Sequence, residues 1–312
     1  MIKNHRLFLP RTRPLVLGHR GVPRLHQENS LGGLRRALEL GIDGVEFDVF
    51  LTRDGRAVVF HDEETERLTG VKGDITQMTW DEVSRLRLQR RIAMDAQGAQ
   101  TIEYPCEERV PLLEEVLDEF SGKLLMNIEM KAYAPKWERR HTGTEVAKLV
   151  RKAGAEASVI ITSFDFFMLH ALEQEYPELH SGFAYDDFAD LTRIDDWFDR
   201  VDAIRPDRGH IEDRHNPYFS FINFLMEANT VGRAVGSTVV DVEASLIDED
   251  TTDRFHQRGM LVGAYTLFAT DTRTVRDPTQ DQAALARQLR ARGIDWIETD
   301  DPERLTTLLE QG

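Results

Sequence analysis

The chain has 312 residues, 39 Lys and Arg against 55 Asp and Glu, a formal charge of −16 and one cysteine. This length suits one α/β barrel of roughly 250 residues with additions, or two small domains, and allows a sizeable core without covalent staples. One cysteine excludes an intrachain disulfide framework. The acidic balance argues against nucleic acid and anionic lipid as partners, but not against an anionic substrate met by locally concentrated positive charge.

The opening stretch, MIKNHRLFLPRTRPLVLG, is basic and interrupted by Pro10, Arg11, Arg13 and Pro14, so it lacks an apolar run of signal-peptide length. No segment approaches the roughly 18 apolar residues of a membrane span. The expectation is a cytoplasmic protein with no integral membrane segment, and a lone cysteine agrees with a reducing compartment.

Short β-branched runs alternate with helical patterns, as βα units around a parallel sheet do. The strand candidates are 15–19, 44–49, 124–131, 159–163, 181–185, 238–242, 261–266 and 294–299. SLGGLRRALELG follows the first, with Leu31, Leu34 and Leu38 on one face and Ser30 at the N-cap. Further helices are expected at 112–120 and 144–154, and Gly41, Gly154, Gly259 and Gly293 sit where a left-handed residue closes a helix before a strand. Asp54-Gly55 is a hairpin signal, so strand two should return antiparallel as 57–61 and carry His61 back to the rim that holds Glu46 and Asp48. GIDGVEFD at 41–48 and GIDWIETD at 293–300 resemble each other, as repeated βα units would. These features predict a (β/α)8 TIM barrel, read as a single domain over 1–312. Two stretches exceed the simple repeat and are read as rim insertions, 62–110 and 186–237.

In strands, residues i and i+2 share a face. Glu46 and Asp48 therefore lie opposite Val45, Phe47 and Val49, and Asn127, Glu129 and Lys131 lie opposite Met126, Ile128 and Met130. Charges turned toward a barrel axis are costly unless paired or bound to a metal. His19-Arg20-Gly21 ends strand one on the same rim. Three carboxylates suit a hard divalent cation, Ca2+ or Mg2+, better than structural zinc. Arg20 and Lys131 supply positive charge for a phosphate, and two histidines can work as base and acid. Together these are the parts for phosphoester cleavage. The competing reading is a structural salt-bridge network of the same acids with Arg20 and Lys131, which is expensive when buried.

The ordered motifs GHRG at 18–21, ENS at 28–30, VEFDVFLTRDGRAVVFHD at 45–62, ERLTG at 66–70, VPLLEEVL at 110–117, IEMK at 128–131, TSF at 162–164 and IETDDP at 297–302 resemble the glycerophosphodiester phosphodiesterase family. The resemblance implies a barrel with a small insertion after His61-Asp62, His19 and His61 as the acid–base pair, and Glu46, Asp48 and Glu129 as ligands of one divalent ion. It implies Arg20 and Lys131 on the phosphate, Glu28 and Asn29 as support from the loop after strand one, and hydrolysis of a glycerophosphodiester to glycerol 3-phosphate and an alcohol. Two departures stand out. Ser30 replaces a usual Thr, and YTLF at 265–268 replaces a usual Trp-Thr-Val-Asn, so that Tyr265 keeps an aromatic wall while Phe268 loses a hydrogen-bonding side chain.

Other features carry weaker expectations. Asp62 is expected to fix the loop or orient a neighbour, and Thr299 and Asp300 to be structural. HIEDRH at 210–215 is read as a solvated loop rather than a metal site, and Cys106 is given no chemistry. YFSFINFLM at 218–226 is read as a helix packed on the barrel, or alternatively as a lid that favours a bulkier or lipidic alcohol in a lysophospholipase D-like reaction. A barrel that only binds a phosphorylated ligand is a further alternative, against which the histidine pair speaks.

Overall fold

The computed structural model describes residues 5–95, 98–131, 141–185, 236–271 and 279–311. In chain order these form β1 (Leu15–Gly18), α1 (Leu31–Glu39), β2 (Gly44–Leu51), β3 (Ala57–Val59), α2 (Glu66–Thr69), α3 (Trp80–Val83), β4 (Arg87–Leu88), β5 (Arg91–Ala93), β6 (Thr101–Glu103) and β7 (Glu108–Arg109). They continue with α4 (Leu113–Phe120), β8 (Leu125–Met130), α5 (Thr142–Ala153), β9 (Val159–Ser163), α6 (Phe166–Glu175), β10 (His180–Tyr185) and β11 (Val239–Glu243). The last elements are α7 (Thr251–His256), β12 (Leu261–Leu267), α8 (Gln282–Ala291), β13 (Trp296–Thr299) and α9 (Pro302–Glu310).

The parallel strands run β1-β13-β12-β11-β10-β9-β8-β2, and β2 pairs with β1 through Leu17↔Gly44 and Gly18↔Val45, which closes the barrel. Each of the eight expected parallel strands is present, with ends shifted by two residues at most. β3 pairs antiparallel with β2, and Phe60 N–H continues the return by donating to Asp48 O at 3.0 Å, so the hairpin delivers His61 to the rim. Ser30 caps α1, its Oγ accepting from Gly33 N–H at 3.0 Å. Gly154 closes α5 at φ 63°, and Gly41, Gly259 and Gly293 hold the same left-handed geometry.

The apolar faces of the strands pack on the helices, with Val45, Phe47, Val49, Met126, Ile128 and Met130 at 0% exposure. Inside the barrel, Leu17, Leu125, Ile160, Val239 and Trp296 form a separate apolar plug that Leu7 joins from the N-terminal arm. Gly263 makes room for that plug, because a Cβ there would meet the Trp296 ring at 2.0 Å. A filled barrel leaves the strand ends as the place for chemistry.

Residues 62–110 fold as α2, α3 and two nested hairpins, β4 with β7 and β5 with β6. They dock on the loop after β1. Tyr104 Oη donates to Pro23 O at 2.6 Å, and Gln27 Nε2 donates to Cys106 O at 2.6 Å and to Gln89 O at 3.2 Å. Cys106 itself is exposed. Residues 186–235 lie outside the described residues, and with them the readings of 186–237 as an insertion, of 210–215 as a loop and of 218–226 as a packed helix or lid. Among the described residues no helix is long and apolar enough to cross a membrane.

Candidate active site

The turn after β1 has unusual backbone. Arg20 sits at φ 53° and Gly21 at φ 92°, and Asn29 at φ 56° ends the loop that returns to α1. Left-handed non-glycine residues are held only by strong local contacts and cluster at functional sites. Here Arg20 N–H donates to Glu46 Oε2 at 2.9 Å, and Asn29 N–H donates to Arg20 O at 3.0 Å. Asn29 also grips β2 from both sides, Nδ2 donating to Asp48 Oδ2 at 2.8 Å and Oδ1 accepting from Asp48 N–H at 3.1 Å. The ENS motif thus has a physical account: Glu28 binds Arg20, Asn29 fixes Asp48, and Ser30 caps the helix.

Glu46, Asp48 and Glu129 each offer a carboxylate oxygen within 4.8 Å of the others. Both cations of the rim engage them. Lys131 Nζ is 2.8 Å from Glu129 Oε1 and 3.4 Å from Asp48 Oδ1, and Arg20 Nε is 3.6 Å from Asp48 Oδ2. A structural network would share these contacts. Glu46 sets the site apart: it is 3% exposed, and its Oε1 has no hydrogen-bond partner among the described residues. Burial, then the neighbouring carboxylates Asp48, Glu298 and Glu129, push the Glu46 carboxyl well above its ordinary range. Burial likewise raises Glu129. Asp48 also loses water, yet Lys131, His61 and Arg20 outweigh that and hold it at about 2. A buried oxygen without a donor, in a pocket with more acid than its cations balance, fits a divalent ion of the oxygen-seeking kind.

Each histidine of the rim is anchored at Nδ1 by a carboxylate. His61 meets Asp62 Oδ1 at 2.6 Å and His19 meets Asp300 Oδ1 at 2.7 Å. The Asp62 contact is the orienting role expected from sequence. Asp300 departs from the purely structural role expected of it, because barrel closure sets its carboxylate against His19. With Nδ1–H donating, Nε2 is left for proton transfer, and His19 Nε2 lies 3.9 Å from Glu46 Oε2. Burial, aided by Arg20 and Lys131, lowers the His61 imidazole to about 4. Tyr265 on β12 is half-buried and meets the exposed Phe164 ring edge to face, centroids 6.2 Å apart. Phe268 is buried at φ 55° under the Arg304 guanidinium, 4.1 Å from its ring centre, instead of supplying a polar contact.

His19, Arg20, Glu28 and Met94 line a narrow cleft, so the 62–110 segment contributes to its wall. The larger cavity, about 350 Å³, lies on Val22, Leu25, Leu40 and Pro302 and contains neither histidine. Chemistry rather than volume locates the site. Two further acids were not singled out from sequence. Asp241 on β11 and Glu298 on β13 hydrogen-bond to one another inside the barrel, and Asn127 Nδ2 donates to them at 3.0 and 2.7 Å. Strand alternation places both inward, but nothing in VVDVE or WIET distinguishes them from other strand acids.

A model of the glycerophosphoryl diester phosphodiesterase family matches residues 19–304. The chain belongs to that family. It is 29% identical over 302 residues to a glycerophosphodiester phosphodiesterase of Caldanaerobacter subterraneus subsp. tengcongensis, covering 96% of this chain and 98% of the relative. Among solved structures it resembles a glycerophosphoryl diester phosphodiesterase from Silicibacter pomeroyi at a TM-score of 0.73 and 21% identity, covering 98% and 96% of the two chains. A phosphodiesterase of Oleispira antarctica, solved with the product sn-glycerol-3-phosphate, matches at a TM-score of 0.62 and 20% identity, covering 96% and 97%. Both structures share the fold, and membership makes phosphoric diester hydrolysis the chemistry for which the site must account.

Proposed function

We propose that the chain hydrolyses glycerophosphodiesters to glycerol 3-phosphate and an alcohol. Glu46, Asp48 and Glu129 hold one divalent ion, Ca2+ or Mg2+, Arg20 and Lys131 face the phosphate, Tyr265 walls the substrate, and His19 and His61 move protons. The observation that carries this reading is the matched anchoring of the two imidazoles, Nδ1 on Asp300 and on Asp62, beside three carboxylate oxygens gathered within 4.8 Å.

A bound divalent ion would offset charge on the phosphoryl oxygens as it builds in the transition state. The Arg20 and Lys131 cations act on the same charge in a site shielded from water. One histidine takes a proton from the nucleophile as its oxygen bonds to phosphorus; the nucleophile is water, which gives glycerol 3-phosphate directly, or the glycerol 2-hydroxyl, which gives a cyclic phosphate that a water then opens. The bond from phosphorus to the alcohol oxygen breaks, and the other histidine gives that oxygen a proton. Asp62 and Asp300 keep each Nε2 in position and favour the Nδ1–H tautomer. At neutral pH the His61 ring is uncharged and can accept a proton.

The test is release of glycerol 3-phosphate from glycerophosphocholine with Mg2+, with Ca2+ and with EDTA, for the wild type, His19→Ala and His61→Ala. Each alanine variant is expected to lose about 10²- to 10⁴-fold in kcat, and EDTA to remove turnover. Full activity in EDTA, or in both variants, would overturn the proposal. Lysophosphatidylcholine in the same panel separates a soluble diester from a lipidic substrate.

A further inference from the structure

The ERLTG motif at 66–70 has no part in the proton transfers, yet the structure gives each of its last four residues a place. Leu68 is fully buried, Thr69 Oγ1 donates to Thr65 O at 2.8 Å, and Gly70 closes α2 at φ 71° against Gln89. The remaining functional side chain, Arg67, turns to the rim and is 10% exposed. Its Nη1 and Nη2 donate to Glu28 Oε2 and Oε1 at 2.8 and 2.7 Å. Its Nε donates to Asp62 Oδ2, and Nη2 also reaches Asp62 Oδ1 at 2.9 Å. One guanidinium thus grips two carboxylates with both faces of its fork.

The far ends of those carboxylates matter. Asp62 Oδ1 is the partner of His61 Nδ1, and Glu28 Oε1 accepts from Arg20 Nη1 at 3.0 Å. Arg67 is therefore one bond removed from a proton-transfer group and one bond removed from a phosphate-facing cation. Without it, Asp62 would be held, among the described residues, by the imidazole alone and free to swing with it. Among the described residues Glu28 would keep only Arg20, a single attachment in place of a bridge between two cations.

We propose that Arg67 is a positioning residue, contributed by the 62–110 segment, that fixes the ring of His61 through Asp62 and the reach of Arg20 through Glu28 at the same time. The inference rests on the acid–base reading of His61. A fixed ring raises kcat and a fixed guanidinium lowers KM, so losing Arg67 acts on both. Its like charge near Arg20 is tolerated because Glu28 and Asp62 lie between and beside them. Burial raises the Asp62 carboxyl, but the hydrogen bonds with His61 and then Arg67 outweigh it and hold Asp62 well below its ordinary range, an ionised acceptor for His61 Nδ1–H.

The experiment compares the wild type, Arg67→Ala, Arg67→Lys, Asp62→Asn, the Arg67→Ala/Asp62→Asn double variant and His61→Ala, all assayed with glycerophosphocholine and Mg2+. Arg67→Ala is expected to lose about 10²-fold in kcat and to show a raised KM, with Arg67→Lys intermediate. The double variant is expected to fall no further in kcat than Asp62→Asn, because both changes remove one orienting chain. Guanidinium ion at tens of millimolar is expected to restore kcat to Arg67→Ala and to leave Asp62→Asn unchanged, a rescue that a merely structural loss would not show. Wild-type kcat and KM in Arg67→Ala, or fully additive losses in the double variant, would overturn the inference. If Arg67→Ala does not fold, Arg67→Lys decides: unchanged kcat and KM overturn the proposal. Failure of the functional reading is separable, since His61→Ala would then retain turnover whatever Arg67 does.

Discussion

Two groups of carboxylates in this barrel are equally hidden from water and differ in the charge set beside them. Glu46 and Asp48 at the rim are 3% and 1% exposed, and Asp241 and Glu298 in the interior are each 2% exposed. The rim acids have Lys131 and Arg20 among them. Among the described residues the interior pair meets no cation, only the Asn127 amide, the Trp296 indole N–H at 3.2 Å and each other. Burial pushes Asp241 up to about 7, with the rim acids Glu46 and Glu129 adding to it and the hydrogen bond to Glu298 opposing it, and burial followed by Asp241 pushes Glu298 well above its range, so the interior pair is held by a proton. Burial alone does not make an ion site. What differs is the charge brought alongside: Lys131, His61 and Arg20 hold Asp48 of the rim ionised, while Glu46 and Glu129 beside it are raised as the interior pair is and have a divalent ion to gain.

The largest expected effect breaks the rim. Glu46→Gln and Glu129→Gln each remove a ligand charge and are expected to lower kcat by about 10²-fold or more at fixed Mg2+, with weaker metal binding in a calorimetric titration. Unchanged metal affinity would reduce the rim to a salt-bridge network. Next, Lys131→Met takes a cation from Asp48 and Glu129. It is expected to cost about 3 kcal/mol in EDTA, as removal of one partner of a buried pair does, and less when Mg2+ is added. An equal loss in both conditions, by denaturant titration, would mean that no ion substitutes for the lysine.

The interior predicts the reverse sign. Asp241 has a folded pKa above its unfolded value, so its contribution to stability is complete below about pH 4 and is lost as pH rises through about 7. Asp241→Asn keeps the hydrogen-bond geometry and removes that loss. It is expected to be about 1–2 kcal/mol more stable than the wild type at pH 8, with the gain vanishing toward pH 4. Destabilisation at pH 8 would show instead that the pair is ionised and compensated. The smallest effect lies outside both groups: Ser30→Ala should cost about 1 kcal/mol through the lost cap of α1, with kcat nearly intact.

Sequence alternation exposed the rim because period two is a local property: Glu46 and Asp48, or Asn127 and Glu129, are read without knowing their neighbours. Local signals also set Ser30 as a cap and Asp54-Gly55 as the hairpin that delivers His61. Contacts made by barrel closure were not legible in the same way. His19 and Asp300 are 281 residues apart, Asn127 and Glu298 171, and Arg67 and Glu28 39. A carboxyl that holds a proton and one that holds a cation carry the same letter, and only the groups across the barrel tell them apart. The strand pattern put His19 and Glu129 on the rim and the resemblance to the family implied their roles, while the orienting carboxylate behind His19 and the clamp at Arg67 appear only in the folded chain.

The two GID junctions have a further consequence at the opposite end of the barrel. Asp43 Oδ2 accepts from Val16 N–H and Asp295 Oδ2 accepts from Val262 N–H, both at 2.8 Å, so each repeat places its aspartate as a clasp on the strand beside it. The N-terminal arm uses both clasps, Arg13 reaching Asp43 and Arg11 reaching Asp295, each at 2.5 Å. Those aspartates lead into β2 and β13, the strands on either side of β1. The arm is a stitch across the seam where the beginning of the cylinder meets its end. Cutting that stitch, by removing residues 1–13, should loosen the seam while leaving the proton-transfer groups their own carboxylate anchors at the other end.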